Sequence, residues 1–359
     1  MIKSNYTILA LMSGTSLDGI DIIAVSFSFN QGWQFQINTA ETIKYSIEWK
    51  STLSQLVSLP LEELKDIDLS YSEYLATVVS NFITKHKLED IDFVASHGHT
   101  ALHRPEIGLT YQIGNQQILA DKLNMKVICD FRVQDVKLGG QGAPLVPIGD
   151  DLLFNTYDYC LNLGGFANVS FESNFERIAF DICPVNIVLN HYVSKLNLEF
   201  DNKGQLASTG KVNKDLLLQL NAHPFYKEQP PKSLGLEWVD LNIFPLIDSF
   251  KLKIEDILRT YVEHAAIQIS MILVENKKKV LVTGGGAFND FLMKRIQDLS
   301  EAKIIIPENE IIEFKEALIF GLLGVLKDRS EINCLKSVTG ATKNHSSGKI
   351  LMPNLRHET

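Results

Sequence analysis

The chain has 359 residues, more than a single hydrophobic core usually supports, so two domains are expected. Hydrophobic residues make up 45% of it and charged residues 21%, as is typical of globular proteins. A formal charge of −9 argues against nucleic acid or an anionic membrane as partner. The 4 cysteines form no Cys-x-x-Cys pair, and no signal peptide or membrane span is evident. These features together predict a cytoplasmic protein.

The N-terminal region contains a polar turn between two apolar runs. The runs extend from Ile8 to Met12 and from Ile20 to Phe27, which is typical of strand, tight turn, strand. Gly14 is expected to reach positive φ, as is Gly19, so that main-chain N–H groups point into one concavity.

The polar side chains of this turn favour phosphate binding. Thr15 and Ser16 offer hydroxyl donors, and Asp18 and Asp21 suit a phosphate that arrives with Mg²⁺. The pattern indicates a nucleotide-phosphate loop built on a β-hairpin. An ordinary glycine-rich hairpin is the alternative.

Further along the first half, a helix is predicted over 61–86, where apolar residues recur at spacings of three and four. The glycine-dense segment 138–144 is the predicted domain boundary. The other predicted elements are strands at 34–39, 93–95 and 126–129 and a helix at 115–123.

The second half opens at 159–170 with a strand, a glycine turn and a strand, echoing the first hairpin. A third strand is predicted to end at Asp181, and Asn289 is placed to cap a helix through Leu299. Helices are also predicted at 185–195, 214–221, 254–275 and 315–327, and strands at 177–180 and 279–283. The repeated order of strands and helices predicts two α/β lobes with a cleft between them.

Three glycine turns follow predicted strands, at 14–19, 164–165 and 284–286. None ends in the Gly-Lys-Ser/Thr of a Walker A loop. Together they suit two hairpins that hold phosphates and a third turn that lets a nucleotide lie against the backbone. Taken singly, each is also explained as an ordinary turn.

Asp181, at a predicted strand end, is a candidate for the carboxylate that takes a proton from an attacking nucleophile. A turn-forming aspartate before a helix is the alternative.

His97, His99 and His103 lie close together in a segment predicted to be a loop. Close-set imidazoles suggest a metal, but no cysteine or nearby carboxylate completes a ligand set. Hydrogen bonding to a sugar or phosphate is favoured over surface histidines and over a metal, and no metal ligands are predicted.

Two further charged residues are candidates for the site. Arg132 could clamp an anion or form a surface ion pair with Asp135. Glu316 could be a site carboxylate or a charge favoured at a helix N-terminus.

Set side by side, these segments resemble the anhydro-N-acetylmuramic acid kinases of the actin-like ATPase and sugar-kinase superfamily. The matching motifs run in order along nearly the whole chain: Met-Ser-Gly-Thr-Ser-Leu-Asp-Gly at 12–19, Ser-His-Gly at 96–98, Asp-Phe-Arg at 130–132, Gly-Gly-Gln-Gly-Ala-Pro at 139–144, Leu-Asn-Leu-Gly-Gly-Phe-Ala-Asn at 161–168, Ala-Phe-Asp at 179–181, Gly-Gly-Gly at 284–286 and Glu-Ala-Leu at 316–318.

The resemblance implies an α/β fold of two actin-like (ribonuclease H-like) lobes with a central interdomain cleft. The lobes would be 1–132, completed by 330–359, and 133–329. It implies ATP- and Mg²⁺-dependent opening and 6-phosphorylation of 1,6-anhydro-N-acetylmuramic acid in cell-wall recycling, by a cytoplasmic homodimer. The alternatives are a related sugar kinase with a shifted substrate and a nucleotide-binding protein without turnover.

The resemblance also implies roles for individual residues. Asp181 would be the catalytic base, and His97, Arg132 and Glu316 would lie on the sugar side. The residues implied to bind the nucleotide are Gly14, Thr15, Ser16, Leu17, Asp18, Gly19, Ile20, Asp21, Gly164, Gly165, Gly284, Gly285 and Gly286.

The chain departs from the family pattern near this site. Ile-Cys-Pro-Val-Asn follows Asp181 where the family usually has Thr-Gly-Pro-Gly-Asn, and His99 stands where Gln is usual. Leu234 and Leu236 replace the usual Thr and Arg. The missing Arg removes a fixed charge that could meet phosphate or the lactyl carboxylate of the substrate.

Overall fold

The structure, a computed structural model, describes residues 3–14, 17–274 and 277–354. The chain divides into two compact units: a first unit, Met1–Leu153 with Phe314–Thr359, and a second unit, Phe154–Glu313. The division falls after Leu153 rather than at the predicted 132/133. The glycine-dense segment 138–144 lies inside the first unit because neighbouring side chains of that unit hold it by hydrogen bonds, as described below.

The first unit is built on one mixed sheet. Its strand order is β12-β6-β4-β1-β2-β3, with β5 beside β4. β1 pairs antiparallel with β2 and parallel with β4, and β4 pairs parallel with β6. The strands are β1 Asn5–Ser13, β2 Gly19–Phe29, β3 Trp33–Lys44, β4 Phe93–Arg104, β5 Leu109–Ile113, β6 Val127–Cys129 and β12 Lys349–Leu351.

The helices of this unit cover the apolar strands. The long helix Leu61–His86 has the predicted bounds and buries a stripe that includes Tyr71, Leu75 and Phe82. The helix Asn309–Asp328 packs closely on β4, since a Cβ on Gly324 would lie 2.9 Å from that of Ala95. The helices are α1 Ile47–Gln55, α2 Leu61–His86, α3 Gln117–Leu123, α4 Val133–Lys137, α5 Pro147–Leu153, α13 Asn309–Asp328, which begins in the second unit, and α14 Lys336–Thr339.

The sheet of the second unit has the order β11-β10-β7-β8-β9. β7, β8 and β9 form an antiparallel meander, while β10 and β11 continue the sheet in parallel on the other side of β7. The strands are β7 Tyr159–Leu163, β8 Phe166–Ser173, β9 Glu176–Pro184, β10 Lys279–Thr283 and β11 Lys303–Ile305.

Amphipathic helices bury the core of the second unit. The longest, Ile254–Ser270, places Leu258, Tyr261 and Ala265 in that core at spacings of three and four. Asn289 caps the helix Asp290–Leu299, as predicted, by accepting a hydrogen bond from the Leu292 N–H. The helices are α6 Asn186–Ser194, α7 Gln205–Thr209, α8 Lys214–Asn221, α9 Leu236–Asn242, α10 Phe244–Ser249, α11 Ile254–Ser270 and α12 Asp290–Leu299.

The two sheets share one topology. In each, a three-stranded meander comes first, and the following parallel strands add beside its first strand. This order confirms the predicted α/β class with two ribonuclease H-like units. The predicted cleft between the lobes stays a prediction. Across 3–14, 17–274 and 277–354, no helix is long and apolar enough to cross a bilayer.

Three local predictions are wrong. The histidine segment is part of β4, not a loop, because Gly98 at φ 74° bulges and the ladder continues, with Ser13 paired to His99. Asp181 lies inside β9 rather than at its end, because pairing with β8 resumes beyond it. Glu316 is no N-terminal charge, because its helix begins at Asn309.

Candidate active site

The first hairpin turn joins β1 to β2 as predicted, although Thr15 and Ser16 fall outside the described residues. The Leu17 N–H donates to the Gly14 carbonyl at 3.4 Å, and Leu17 has a φ of 59°. Gly19 does not have the predicted positive φ. It is required for space, because a Cβ there would lie 2.5 Å from the Ile43 carbonyl oxygen.

The acidic residues of the turn differ in their surroundings. Asp18 is exposed, whereas Asp21 Oδ1 accepts a hydrogen bond of 2.6 Å from the Thr42 hydroxyl on β3. The Ile20 side chain is fully buried in the core, so only its main chain can face a ligand.

A buried polar cluster anchors the base of this hairpin. Ser13 Oγ lies 2.5 Å from the Tyr45 hydroxyl, 2.8 Å from His99 Nδ1 and 3.1 Å from the Tyr71 hydroxyl. Burial lowers the pKa of His99 to about 4, so its ring is neutral at pH 7. The cluster fixes the last residue of β1 and therefore the start of the turn.

Arg132 and His97 form a hydrogen-bonded pair in the first unit. Arg132 Nε donates to His97 Nε2 at 2.9 Å, and Nη1 donates to the Gly142 carbonyl at 2.8 Å. The His97 Nδ1–H donates to the Gly98 carbonyl, which leaves Nε2 as the acceptor. Burial first, and then the charge of Arg132, hold the pKa of His97 well below its usual range.

Phe320 supports this pair, with its ring 4.6 Å from that of His97 and 5.8 Å from the Arg132 guanidinium carbon. Glu316 precedes Phe320 by one turn of α13 and is exposed. Arg132 Nη2 makes no hydrogen bond to any residue in the described part of the chain.

Two alternatives from the sequence are wrong. Arg132 forms no surface ion pair with Asp135, because that carboxylate is fully buried and accepts the Gly142 N–H at 2.7 Å. The three histidines form no group of metal-ligand atoms among the described residues, and each ring has a separate partner. These partners are Arg132 for His97, Ser13 for His99 and Thr110 for His103.

Asp181 is the central charged residue of the site in the second unit. Residue 182 is the extra residue of a bulge, since Asn168 pairs with Asp181 and Ala167 with Cys183. The Leu234 N–H donates to Asp181 Oδ2 at 2.8 Å, and the Asp181 N–H donates to the Lys232 carbonyl at 3.1 Å. Burial raises the pKa of Asp181 and the Leu234 N–H opposes the rise.

The two glycine turns of this unit lie against each other. A Cβ on Gly284, which has φ 81°, would lie 2.5 Å from Asn162 Oδ1, and one on Gly286 would lie 2.7 Å from the Leu163 Cβ. Asn186 Nδ2 lies beside both turns, because it donates to the Leu163 carbonyl at 3.1 Å and would lie 3.5 Å from a Cβ on Gly286. The Gly164 and Gly165 carbonyls accept N–H groups from the start of α6.

Comparison with known proteins identifies the family. The family model described as anhydro-N-acetylmuramic acid kinase matches residues 6–353. The chain belongs to this family. Proteins named anhydro-N-acetylmuramic acid kinase are 33% identical in Shewanella baltica (strain OS155), covering 94% of this chain and 96% of that protein, and 32% identical in Mannheimia succiniciproducens, covering 98% and 99%. One from Francisella tularensis subsp. novicida is 32% identical, covering 95% and 97%. The matches support the anhydro-N-acetylmuramic acid kinase family rather than either alternative.

Most of the departures from the kinase family pattern lie in the two segments next to Asp181, whereas His99 contacts Ser13 in the first unit. Cys183 and Val185, which replace glycines, are buried and have no positive φ. Leu234 supplies its main-chain N–H to Asp181, a contact that any residue except proline can make. The altered segments therefore preserve the hydrogen bond to the proposed base of the kinase while changing the side chains around it.

Sequence reasoning missed several residues that organise this kinase site. Tyr45 and Tyr71 form hydrogen bonds with Ser13 although they are 32 and 58 residues away from it in the sequence. Asn186 forms one with Leu163, 23 residues away. No local pattern marks such contacts. Phe320 lies in the apolar run of α13, where nothing in the sequence distinguishes it from core residues.

Proposed function

We propose that this protein uses ATP to open the 1,6-anhydro ring of anhydro-N-acetylmuramic acid and to phosphorylate O6, giving N-acetylmuramic acid 6-phosphate for cell-wall recycling. Family membership supports the reaction class. The observation that carries the chemistry is the setting of Asp181, a carboxylate with one oxygen held by a main-chain N–H and a raised pKa.

Asp181 acts as the general base. Its Oδ2 accepts the Leu234 N–H, while Oδ1 makes no hydrogen bond within the described residues and is available to a water molecule. Oδ1 takes a proton from water as the water oxygen bonds to the anomeric carbon. The C1–O6 bond breaks with its electron pair on O6, and O6 bonds to the γ-phosphorus as ADP leaves. Burial strengthens the base, because it raises the pKa of Asp181.

Arg132 provides the positive charge for the sugar. His97 and the Gly142 carbonyl fix two of its nitrogens and leave Nη2 for an anionic oxygen. His97 is neutral at pH 7 because of its lowered pKa, so it orients Arg132 without competing for the anion. Glu316, whose side chain is exposed, accepts hydrogen bonds from sugar hydroxyls in this proposal.

ATP phosphates bind at the hairpin turns and the nucleoside lies at Gly284–Gly286. The turn leaves space at Gly285, since the nearest atom to a Cβ there would be 3.9 Å away. Asp18 and Asp21 suit the Mg²⁺ that accompanies ATP, because Mg²⁺ prefers carboxylate oxygens and Asp18 is exposed. When bound there, the ion would neutralise part of the negative charge of the phosphates.

Sugar-dependent ADP release tests this function. We expect turnover with ATP, Mg²⁺ and 1,6-anhydro-N-acetylmuramic acid, a product with the mass of the phosphosugar, and loss of turnover when Mg²⁺ is chelated. The matched substrate control is 1,6-anhydro-N-acetylglucosamine, which lacks the lactyl carboxylate. ADP release that is equal with and without either sugar would contradict the proposal.

A cytoplasmic homodimer is part of the same proposal and is supported by the resemblance to the family. Light scattering on the purified chain tests the assembly, because a protomer has a mass of 40.3 kDa. A mass of about one protomer at enzyme-assay concentrations would contradict it.

A further inference from the structure

A second cluster of reactive side chains lies in the first unit, apart from the proposed kinase chemistry. It consists of Asp135, Cys334 and His345, whose ligand atoms all lie within 4.8 Å of one another. Their exposed fractions are 0%, 1% and 5%. A carboxylate, a thiol and an imidazole buried together are the donor types that bind zinc in proteins.

The fold brings these donors together from two distant parts of the sequence. Asp135 belongs to α4, while Cys334 and His345 face each other in an isolated antiparallel bridge. The N–H of each donates to the carbonyl of the other at 3.1 Å. Two of the three donors are therefore fixed as backbone neighbours.

The distances are compatible with one small ion. Cys334 Sγ is 3.1 Å and His345 Nε2 is 3.6 Å from the same oxygen, Asp135 Oδ1. Bonds of about 2.0–2.3 Å in a tetrahedral zinc site separate neighbouring ligand atoms by roughly 3.3–3.8 Å. The Thr339 hydroxyl, 2.7 Å from Oδ1, adds a neighbouring oxygen.

The second indication of a ligand is His345 Nε2. His345 Nδ1 lies 3.1 Å from the Lys343 carbonyl, and donation of its proton there leaves a lone pair on Nε2. Nε2 is buried and has no hydrogen-bond partner among the residues the structure describes. Without an ion, the Cys334, Thr339 and Gly142 donors satisfy Asp135, but His345 Nε2 stays unsatisfied.

We propose that Asp135, Cys334 and His345 bind a divalent thiophilic metal ion, Zn²⁺ being the best fit. On binding, the ion replaces the Cys334 thiol proton, which is released to solvent, and the thiolate and carboxylate together neutralise the two positive charges. No oxidation occurs.

The site has a structural role. Asp135 also accepts the Gly142 N–H, and the Gly142 carbonyl accepts Arg132 Nη1. The ion therefore ties the C-terminal segment that carries Cys334 and His345 to the loop that orients Arg132.

Cobalt binding tests the proposal without measuring activity. The full-length protein is stripped with a chelator and titrated with Co²⁺ in the absence of nucleotide. We expect about one equivalent of bound Co²⁺, displaced by Zn²⁺, and a near-ultraviolet thiolate-to-cobalt charge-transfer band. Cys334→Ser keeps a hydroxyl donor for Asp135 and should fold but lose the band. His345→Gln should weaken Co²⁺ binding at least about tenfold.

Cys129→Ser is the matched control, because Cys129 is also buried in the first unit but lies outside the cluster. It should retain the band and the stoichiometry. Circular dichroism verifies the fold of each variant. The proposal is overturned if wild-type protein binds no Co²⁺ at micromolar concentrations, or if the band persists in Cys334→Ser.

Discussion

The two units share a strand order but hold their proposed site residues in different ways. In the first unit the functional side chains are immobilised by neighbours: Ser13 has three polar partners, and two nitrogens of Arg132 are bound. In the second unit the site is mostly main chain and glycine, and its central carboxylate, Asp181, has one oxygen held and one open. The same scaffold thus holds an oriented positive charge in one copy and a carboxylate with one open oxygen in the other.

In the proposed function, this difference separates substrate binding by Arg132 from proton transfer by Asp181. A pre-oriented arginine contributes to substrate affinity, whereas a partly desolvated carboxylate contributes to the proton transfer itself. We therefore expect substitutions in the two units to change different kinetic constants.

The largest expected effect is that of Asp181→Asn. Loss of the base should lower kcat by about 10²–10⁴-fold with little change in the KM for ATP. Steady-state ADP release measures both constants. Glu176→Gln, an exposed carboxylate on the same strand, should behave as wild type. Equal kcat values for Asp181→Asn and wild type would remove Asp181 from the mechanism.

The glycine turn of the second unit offers a matched pair of substitutions. Gly284→Ala should lower the free energy of unfolding by about 1–3 kcal/mol, because φ is 81° and the added Cβ would collide with Asn162. Gly285→Ala, with open space, should change it by less than about 0.5 kcal/mol. Urea denaturation measures both. Similar losses in the two variants would argue against this account of the turn.

Arg132→Lys tests the fixed charge of the first unit. The charge remains, but a lysine cannot make the bonds to His97 and Gly142 together, so the KM for the sugar should rise about tenfold with a smaller change in kcat. Arg104→Lys, at an exposed position, is the control. A fall confined to kcat would contradict the assignment of Arg132 to binding.

The smallest expected effect is on stability and depends on pH. Burial raises the folded-state pKa of Asp181 above its ordinary 3.8, so the folded state binds this proton more tightly than the unfolded state. Its contribution to stability is therefore present at low pH and is lost as pH rises through the folded-state pKa. Asp181→Asn should raise Tm relative to wild type more at pH 7 than at about pH 4. Thermal unfolding at both values measures this, and a pH-independent difference would contradict it.

Elements that depend on local sequence patterns are predicted correctly from the sequence. The helix Leu61–His86 has the predicted bounds because its apolar spacing is regular, and the repeated glycine hairpins mark the start of both sheets. The sequence predicts a loop at His97 and His99 because a glycine within a strand is hard to distinguish from a loop glycine, and here Gly98 forms a bulge in a continuing strand. The sequence predicts Asp181 at a strand end because the apolar pattern stops there, whereas the β8–β9 ladder continues beyond it.

Contacts between residues far apart in the sequence could not be predicted from local patterns. The Tyr45–Ser13–Tyr71 cluster and the meeting of Leu234 with Asp181 depend on how helices and loops pack on the sheets. The cluster of Asp135 with Cys334 and His345 joins positions about two hundred residues apart. No ligand spacing in the sequence marks that cluster.

The most direct test of the central claim is the reaction in ¹⁸O-labelled water. In the proposed mechanism, water activated by Asp181 attacks the anomeric carbon. The account therefore predicts one ¹⁸O in the sugar of the product and none in its phosphate or in ADP, by mass spectrometry with fragmentation. Unlabelled product incubated in labelled water gives the background from anomeric exchange. ¹⁸O found in inorganic phosphate, with the sugar phosphate no more labelled than this background, would contradict the account.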